Sequence, residues 1–406
     1  MNVPKLRFKE FSGEWELKTL GNCSDSLDYG LNAAAKEFDG ENQYLRITDI
    51  DDKSRKYMKV NRVSPEGNLT DDYLLKESDI VFARTGASTG KSYIYNIEDG
   101  KLYFAGFLIR VRISKEYNAG FIYNQTLTSN YNKWVKVMSV RSGQPGINSK
   151  EYASYEMSIP TMEEQNKITN FFTELDKKVQ LQQEKINLLQ EQKTGYMQKI
   201  FKQEIRFKDD YGGEYPEWEV YKLKDFVERV DRKNTENMTN HPLTISAQFG
   251  LVDQMEYFNK KVASESLTGY YLLRKGEFAY NKSYSKGYPY GAIKRLDRYE
   301  HGALSTLYIC FSPNKNVLSD FLVQYFDSPA WYREVSMISV EGARNHGLLN
   351  VSVTDFFETN HKLPSLEEQI KISNFLSKLD GKIQLEQQKL EALQQQKKGF
   401  MEQMFI

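Results

Sequence analysis

The segment from Gly86 to Ser92 looks like a phosphate-binding loop but lacks the spacing that such a loop requires. It reads GASTGKS and follows the strand-like run DIVFAR. A P-loop has four residues between its glycines and opens a helix, whereas three residues intervene here and SYIY reads as a strand. Nucleotide hydrolysis is therefore the least favoured interpretation. A loop that contacts DNA phosphates or base edges and an ordinary polar hairpin both remain open for this segment.

Two other kinds of segment carry groups that suit DNA. The stretch Arg274–Arg298 occupies the corresponding place in the second half and holds seven Lys or Arg residues against two acidic ones, interleaved with tyrosines. Cations attract phosphates and aromatic rings stack on bases, which favours DNA contact over a merely solvated charged surface. Loops 141–146 and 342–347 each combine glycines with Arg and an amide, groups that pair with guanine and adenine but are equally typical of tight turns. The predicted DNA contacts are Arg84, Thr85, Ser88, Thr89, Lys91, Arg141, Gln144, Lys282, Ser283, Tyr284, Lys286, Arg344 and Asn345.

No set of residues in the sequence suggests catalysis. The four histidines have no metal-ligand spacing, and the chain contains no GxGxxG, no GxSxG and no Asn-Pro-Pro-aromatic methyltransferase motif. We therefore predict no catalytic residue, no metal site and no cofactor.

Composition sets the broad class of the protein. The 406 residues include 55 basic and 55 acidic side chains, and 40% are hydrophobic, enough for about two or three packed domains. No apolar run approaches the roughly 18 residues of a membrane span, and the first residues do not resemble a signal peptide. We expect a cytoplasmic protein without a membrane partner. The net charge of zero is an average over unlike regions and does not exclude DNA.

The chain contains an internal repeat with an offset of 204 residues. The segment 160–201 recurs at 364–405, with 22 of 42 positions identical and no gap. A weaker repeat, RFK followed by EW, precedes each half. The predicted domains are a first mixed α/β domain with its opener at 1–159, a helical spacer at 160–203, a linker at 204–217, a second mixed α/β domain at 218–363 and a second helical spacer at 364–406.

Both repeated segments have the periodicity of a coiled coil. Alternate steps of four and three residues from Ile168 and from Ile372 meet apolar residues at eight of ten positions in each copy. In an antiparallel pair, the polar seam residues would place Gln182 opposite Lys397 and Glu386 opposite Lys193. These pairs either fix the register or leave the lysines to extend their ammonium groups into water. About 28 overlapping residues would span about 42 Å, comparable to one turn of DNA.

The two variable blocks alternate strand-like and helical patterns, so the predicted fold class is α+β with a pseudo-twofold internal repeat. Helical periodicity occurs near 119–137 and 319–335. The order of the strands cannot be predicted from the pattern. The strand-like runs are 79–84, 93–97, 107–113, 276–280 and 307–311.

This organisation resembles the specificity subunit of Type I restriction-modification enzymes. The resemblance rests on two copies of P-[ST]-x-E-E-Q-x-K-I, on the RF…EW openers and on DIVFARTGASTGKS, and it covers the whole chain. It implies two target recognition domains that each read half of an asymmetric bipartite site in double-stranded DNA. It also implies that an antiparallel helix pair sets the spacer and docks two methyltransferase subunits, which restriction subunits join to form an ATP-dependent nuclease. The specificity subunit itself would catalyse nothing.

The main alternative is a coiled-coil scaffold whose globular domains bind other proteins. Such a scaffold would have no sequence-specific DNA binding, and no DNA methylation would depend on its gene.

Overall fold

The chain forms two compact units, and each unit contains parts of both repeated helices. The computed structural model describes residues 2–259, 266–285, 287–339 and 349–406. Unit 1 comprises Met1–Gln183 and Gln388–Ile406, and unit 2 comprises Glu184–Gln387. Within these described ranges, no helix is both long enough and apolar enough to span a bilayer.

Unit 1 is built around an antiparallel four-stranded sheet with the order β2-β9-β6-β7. The short strands β1 and β10 pair with each other, as do β3 and β5, and β4 lies parallel to β8. The strands are β1 (Glu16–Thr19), β2 (Ser24–Tyr29), β3 (Ala35–Glu37), β4 (Gln43–Leu45), β5 (Val63–Pro65), β6 (Asp79–Ala83), β7 (Ser92–Ile94), β8 (Leu102–Phe104), β9 (Leu108–Ile113) and β10 (Glu156–Ile159). The helices are α1 (Ala119–Gln125), α2 (Ser129–Met138), α3 (Ser149–Ala153) and the long α4 (Met162–Phe201), which continues into unit 2.

Unit 2 repeats this plan. Its antiparallel sheet has the order β12-β19-β16-β17, and a second sheet, β14-β13-β18-β15, contains the parallel pair β13 and β18. The strands are β11 (Glu219–Lys222), β12 (Val227–Arg229), β13 (Pro242–Ser246), β14 (Gly250–Asp253), β15 (Tyr271–Arg274), β16 (Phe278–Asn281), β17 (Ala292–Arg295), β18 (His301–Leu304), β19 (Ile309–Pro313) and β20 (Asn360–Leu363). The helices are α5 (Leu223–Phe226), α6 (Gln254–Phe258), α7 (Ser319–Asp327), α8 (Tyr332–Ile338), α9 (Val353–Phe357) and α10 (Leu366–Met404).

The α+β fold class is confirmed, and the strand-like runs correspond to β6, β7, β9, β16 and β19 with small shifts at their ends. Each predicted helical stretch is instead two helices. In unit 1 the Thr128 side chain accepts a hydrogen bond from the Tyr131 amide and so caps the start of α2. In unit 2 Ser328 accepts from the Ala330 amide and Pro329 follows it, which ends α7. Apolar periodicity continued across both breaks because both helices of each pair pack on the same core.

The helix seam is confirmed, because every predicted seam position in α4 and α10 is buried or half-buried. The first half of α4 packs on the end of α10 in unit 1, where the Phe171 and Phe400 rings are 5.1 Å apart. The same contact recurs in unit 2 between Phe375 and Tyr196, also at 5.1 Å. Pairing of opposite ends means that the two helices run antiparallel, as predicted.

The ionic partners of the seam lysines differ from the predicted ones. Lys193 donates to Asp380 at 2.6 Å in unit 2, and Lys397 forms the equivalent ion pair with Asp176 in unit 1. Glu386 accepts from Lys185 at 3.0 Å. A lysine side chain is long enough to reach an acid beside the seam, so both seam lysines form their ion pairs with aspartates there. The hypothesis that polar pairs fix the register of the helices stays a prediction.

Candidate DNA-reading surfaces and family membership

Unit 1 brings two of the predicted loops together. The loop between β6 and β7 lies beside the loop that follows α2, and the Gly86 amide donates to the Pro145 carbonyl at 2.9 Å. Thr85 pairs with Gly146, and the Ile147 amide donates to the Arg84 carbonyl at 2.9 Å. These loops are about 55 residues apart in sequence, so their contact was not predictable from local pattern. We call this pair of loops (84–91 and 139–147) the unit 1 surface.

Two buried tyrosines hold the unit 1 surface in place. The Tyr152 hydroxyl donates to the Ala83 carbonyl at 2.7 Å and accepts from the Gly90 amide at 3.1 Å. The Tyr131 hydroxyl donates to the Gly90 carbonyl at 2.9 Å. Burial raises the pKa of both phenols, which keeps them as neutral donors. Gly90 has a φ of +89°, and a Cβ there would overlap Val135, so only glycine fits.

The β6–β7 loop makes one turn of 3-10 helix, Gly86–Ser88, and Ser92 then begins a strand, as the sequence predicted. Arg84 is half-buried, and its guanidinium lies 4.9 Å from the Tyr29 ring. Thr85 and Ser88 are half-buried. The Thr89 hydroxyl donates to the Gly86 carbonyl at 2.7 Å and is thereby committed to the turn.

Lys91 is placed differently from a DNA contact. Its side chain is buried, its ammonium group donates to the Ile50 carbonyl at 3.0 Å, and it also pairs with Asp52. We therefore assign Lys91 to the support of the loop and remove it from the set proposed to touch DNA. This contact could not be predicted from local pattern, because Ile50 is 41 residues away.

The second loop of the unit 1 surface is exposed. Arg141 donates to the Met138 and Val140 carbonyls and pairs with Glu151 at 2.6 Å, which orients its guanidinium at the end of α2. Gln144 is exposed. An amide and a guanidinium on one surface can pair with adenine and guanine edges or with phosphates.

Unit 2 has a loop in the corresponding place, between β16 and β17. The Lys282 carbonyl accepts from the Leu349 amide at 2.9 Å, and its ammonium group lies 3.3 Å from the Val351 carbonyl. The Ser283 amide donates to Asn281 at 3.0 Å, and Tyr284 is 60% exposed. Lys286, Arg344 and Asn345, which the sequence also predicts as contacts, lie outside the described residues. We call the loop 282–291 the unit 2 surface.

A polar pocket adjoins the unit 2 surface. Its volume is about 320 Å³, and Ser283 and Tyr284 of the loop form part of its wall. Other polar side chains in the wall are Ser246, Gln248, Asn281 and Tyr288. The sequence did not single out Ser246 or Gln248, because they come from the turn between β13 and β14, remote from the charged stretch.

The cationic stretch Arg274–Arg298 is less available than its charge count suggests. Lys275 pairs with Glu300, Lys294 with Asp327, and Arg295 with Asp297 and Asp320. Of its six cations among the described residues, three therefore have acidic partners within unit 2. Of the other three, Lys282 lies in the loop itself.

The repeated E-E-Q motif fastens each helix to its own unit. Its second glutamate, Glu164, is buried and accepts from Arg7 at 2.8 and 2.7 Å. In unit 2, Glu368 accepts from Arg206 at 2.8 Å and from the Trp218 indole at 3.0 Å. The arginine of each RF…EW opener therefore binds the buried carboxylate of its own unit, and in unit 2 the tryptophan binds it as well.

The glutamine of the motif completes the attachment. Gln165 donates to the Pro160 carbonyl at 2.9 Å and accepts from the Asn118 amide at 2.9 Å. Gln369 makes the equivalent bonds to Pro364 and Leu318 at 3.0 and 2.8 Å. The E-E-Q motif and the RF…EW opener each occur once in both halves of the chain. This shared recurrence is the signal that could have predicted their contact with each other.

A family model described as the Type I restriction modification DNA specificity domain matches residues 13–191 and again residues 215–395. The chain belongs to this family. Each matched segment of this specificity chain includes the strands that carry one of the surfaces described above. The two surfaces therefore lie in two copies of the same DNA specificity domain.

The specificity chain is also similar to two curated specificity subunits of Methanocaldococcus jannaschii. It is 24% identical over 237 residues to the Type I restriction enzyme MjaVIII specificity subunit, covering 54% of this chain and 52% of that protein. It is 26% identical over 236 residues to the putative type I restriction enzyme MjaX specificity subunit, covering 55% of each. The chain thus spans about half the length of the curated relatives it matches.

Two solved structures share the fold. The Type-I restriction-modification S subunit from M. genitalium aligns with a TM-score of 0.56 at 13% identity, over 100% of this chain and 99% of that one. A chain from a structural study of type I R-M complex assembly and conformational transition aligns with a TM-score of 0.50 at 14% identity, over 95% and 96%. At these identities the likeness concerns the fold alone.

Proposed function

We propose that this chain is the DNA-specificity subunit of a Type I restriction-modification complex, in which each unit reads one half of an asymmetric bipartite site in double-stranded DNA. The observation that carries the proposal is the family match to both halves of the chain. Each half contains a loop surface at the equivalent hairpin of its own four-stranded sheet. Because the loops of the two units differ in sequence, the two half-sites should differ too.

The residues of each surface have distinct proposed roles. Arg141 and Gln144 in unit 1 supply a guanidinium and an amide, which suit guanine and adenine edges in the major groove, and Arg141 would exchange its exposed ion pair with Glu151 for the DNA contact. Arg84 and Lys282 occupy the same place in their units, two residues beyond Phe82 and Tyr280, and supply phosphate attraction. The remaining proposed contacts among the described residues are Thr85, Ser88, Ser283 and Tyr284, and the sequence adds Lys286, Arg344 and Asn345.

The proposed partners are two methyltransferase subunits and, for cleavage, ATP-dependent restriction subunits. The internal repeat supports two copies of one partner, because each repeat presents equivalent helix surfaces. In this scheme the specificity chain contributes recognition, and the methyltransferase carries out transfer on an adenine that it flips from the stack. A neutral chain would hold DNA weakly alone and gain phosphate contacts from its partners.

The direct test is modification-aware genome sequencing with and without the gene. We expect one bipartite methyl-adenine motif to disappear on deletion and to return with the intact gene. A second complementation uses a gene with the control variant Ile97→Ala, which should restore the motif as the intact gene does. The exposed Ile97 side chain lies beyond the end of β7, away from the loop. An unchanged methylome in a strain with active methyltransferase would contradict the proposal and favour the scaffold alternative.

The helix pair is proposed to set the spacer between the half-sites. Inserting one heptad after Lys193 and another after its partner Asp380 keeps the seam in phase and adds about 10 Å of helix. That length corresponds to about three base pairs of B-DNA. The spacer of the methylated motif should lengthen while both half-sites stay the same, and an unaltered spacer would contradict this role for the helices.

A further inference from the structure

Two large apolar side chains are exposed at equivalent places in the two units. Phe107, just before β9, is 62% exposed, and Leu307, just before β19, is 73% exposed. In the sheets, Phe82 pairs with Ile109 and Tyr280 pairs with Ile309, which defines these positions as equivalent. Phe107 and Leu307 each precede the matched isoleucine by two residues, so they occupy the same position of the fold.

Each of these apolar side chains belongs to a position opposite a cation of the proposed surface. The Arg84 amide donates to the Phe107 carbonyl at 3.1 Å, which continues the pairing of β6 with β9 by one step. Counting two residues forward from Tyr280 and two residues back from its partner Ile309 places Lys282 opposite Leu307. Both units therefore combine one cation with one exposed apolar group at the end of the central strand pair.

Single exposed apolar residues are common on protein surfaces and need no explanation alone. The recurrence is different, because the strands at this place share little sequence: AGFLIRVRI in unit 1 and STLYICFSP in unit 2. Besides the matched isoleucine, the apolar character of this position and the neighbouring cation recur at this edge. A cation beside an exposed apolar side chain suits a polyanion that also carries apolar groups on its recognition face. Duplex DNA carries such a group, the thymine 5-methyl in the major groove.

We propose that Phe107 and Leu307 each contact the 5-methyl group of a thymine in the half-site read by their own unit. This inference rests on the proposed function and assigns a specificity-determining residue to each surface. The cation beside each one holds the phosphate backbone, while the apolar group distinguishes thymine from cytosine, whose ring carries no methyl at that position.

The test uses the complex of the full chain with its methyltransferase subunits and duplexes that contain the methylated motif. Each thymine of the motif is replaced in turn by uracil, which removes only the methyl group. With the wild-type chain, one uracil in each half-site should lower the methylation rate by roughly three- to tenfold. Phe107→Ala should lower the rate on normal DNA to a similar degree and abolish the uracil effect in one half-site only.

Leu307→Ala should abolish the uracil effect in the other half-site. Phe107→Leu keeps an apolar group and should retain part of the discrimination, whereas Ile97→Ala, at a site 74% exposed, should behave as wild type. Thermal unfolding should be unchanged for all four variants, since these side chains are largely in water. Wild-type complex that is insensitive to uracil, or Phe107→Ala that keeps both effects, overturns the inference. Absence of any motif-specific methylation by the wild type overturns the proposed function instead.

Discussion

The two units have four-stranded sheets of equivalent order, but they hold the unit 1 surface and the unit 2 surface in place by different means. In unit 1 the aromatic pair at the loop base is Phe82 on the strand and Tyr152 on the helix, with ring centroids 4.9 Å apart and the rings tilted by 37°. In unit 2 the pair is Tyr280 on the strand and Phe356 on the helix, also 4.9 Å apart. The hydroxyl that holds the loop thus comes from opposite partners, because the Tyr280 hydroxyl donates to the Tyr290 carbonyl at 2.8 Å.

This exchange shows what the fold keeps constant and what it lets vary. Both units need an aromatic pair and a hydroxyl that satisfies a buried backbone group, since an unpaired polar group in that environment is costly. Either ring can carry the hydroxyl. The loop ends at a glycine with positive φ in both units, Gly90 and Gly291, where a Cβ would overlap neighbouring atoms. The scaffold is therefore duplicated, and the loop it supports is free to differ.

The buried carboxylates should show the largest difference between the units. Glu368 accepts from both Arg206 and Trp218, whereas Glu164 accepts from Arg7. Glu368→Gln removes a fully buried carboxylate and leaves the half-buried Arg206 with only the exposed Glu217 as counter-charge, so it should lower the free energy of unfolding by about 3–5 kcal/mol. Glu164→Gln should cost less. Denaturant unfolding of the two variants measures this, and equal losses would mean that the indole hydrogen bond adds nothing.

Stability at low pH should separate the units next. His361 in β20 is buried between the Tyr325 and Thr359 hydroxyls at 2.8 Å each, and burial lowers its pKa to about 3. Thr359 donates to the Phe356 carbonyl, so His361 donates at Nε2 and accepts from Tyr325 at Nδ1. In the unfolded chain, the His361 imidazole binds a proton with its ordinary pKa of about 6.5. The buried neutral imidazole therefore contributes its full share of the free energy of unfolding above that pH.

Unit 2 should therefore lose up to about 4 kcal/mol as the pH falls from about 6.5 to about 3. Unit 1 has Met157 at the equivalent strand position and lacks this source of pH dependence. Hydrogen exchange of β20 and β10, followed across this range, compares the units directly. His361→Met should be less stable at pH 7 but should remove the slope from unit 2, and a persistent slope would show that another group is responsible.

The hydroxyl exchange itself gives a smaller effect. Tyr152→Phe removes the partner of both the Gly90 amide and the Ala83 carbonyl and should cost about 2–3 kcal/mol. Tyr280→Phe removes one bond and should cost about 1 kcal/mol. Exchange rates of loop amides in 84–91 and 282–291 report these changes locally. Tyr131→Phe, which loses only its bond to the Gly90 carbonyl, is the matched control and should resemble Tyr280→Phe.

The helix ion pairs should differ least, because they are partly exposed and equivalent. Asp380→Lys and Asp176→Lys should each lower stability by about 1 kcal/mol or less. Combining Asp380→Lys with Lys193→Asp should restore most of the loss, as a double-mutant cycle would measure. Additive losses in that cycle would show that the pair does not contribute to the helix register.

The features that could be predicted from sequence are those encoded locally or twice. The seam of α4 and α10 follows from a 3.5-residue period that depends only on the helix itself. The units follow from the repeat. The convergence of the loops around Gly86 and Pro145, by contrast, results from sheet pairing and the packing of α3, which leave no local pattern. Lys91 reads as an exposed cation because the carbonyl that binds it comes from a distant turn.

Charge counting failed for a related reason. The stretch Arg274–Arg298 has a net positive charge in sequence, but its acidic partners, such as Asp320 and Asp327, come from α7. Sequence proximity therefore overestimated the cations that this stretch offers. The exposed side chains Phe107 and Leu307 were missed because a lone apolar residue has no distinguishing signal until the two units are compared.

The central claim is that each unit reads its own half-site. The most direct measurement is the methylated motif of a chain in which residues 218–363 are replaced by the corresponding block of a relative with a different motif. The opener Arg206, Glu368 and both helices stay unchanged, and Trp218, which donates to Glu368, is kept as tryptophan, so the attachment of the new block to its helix is preserved. We predict that one half-site changes to that of the donor while the other half-site and the spacer remain. A change in both half-sites, or in neither, would contradict the claim.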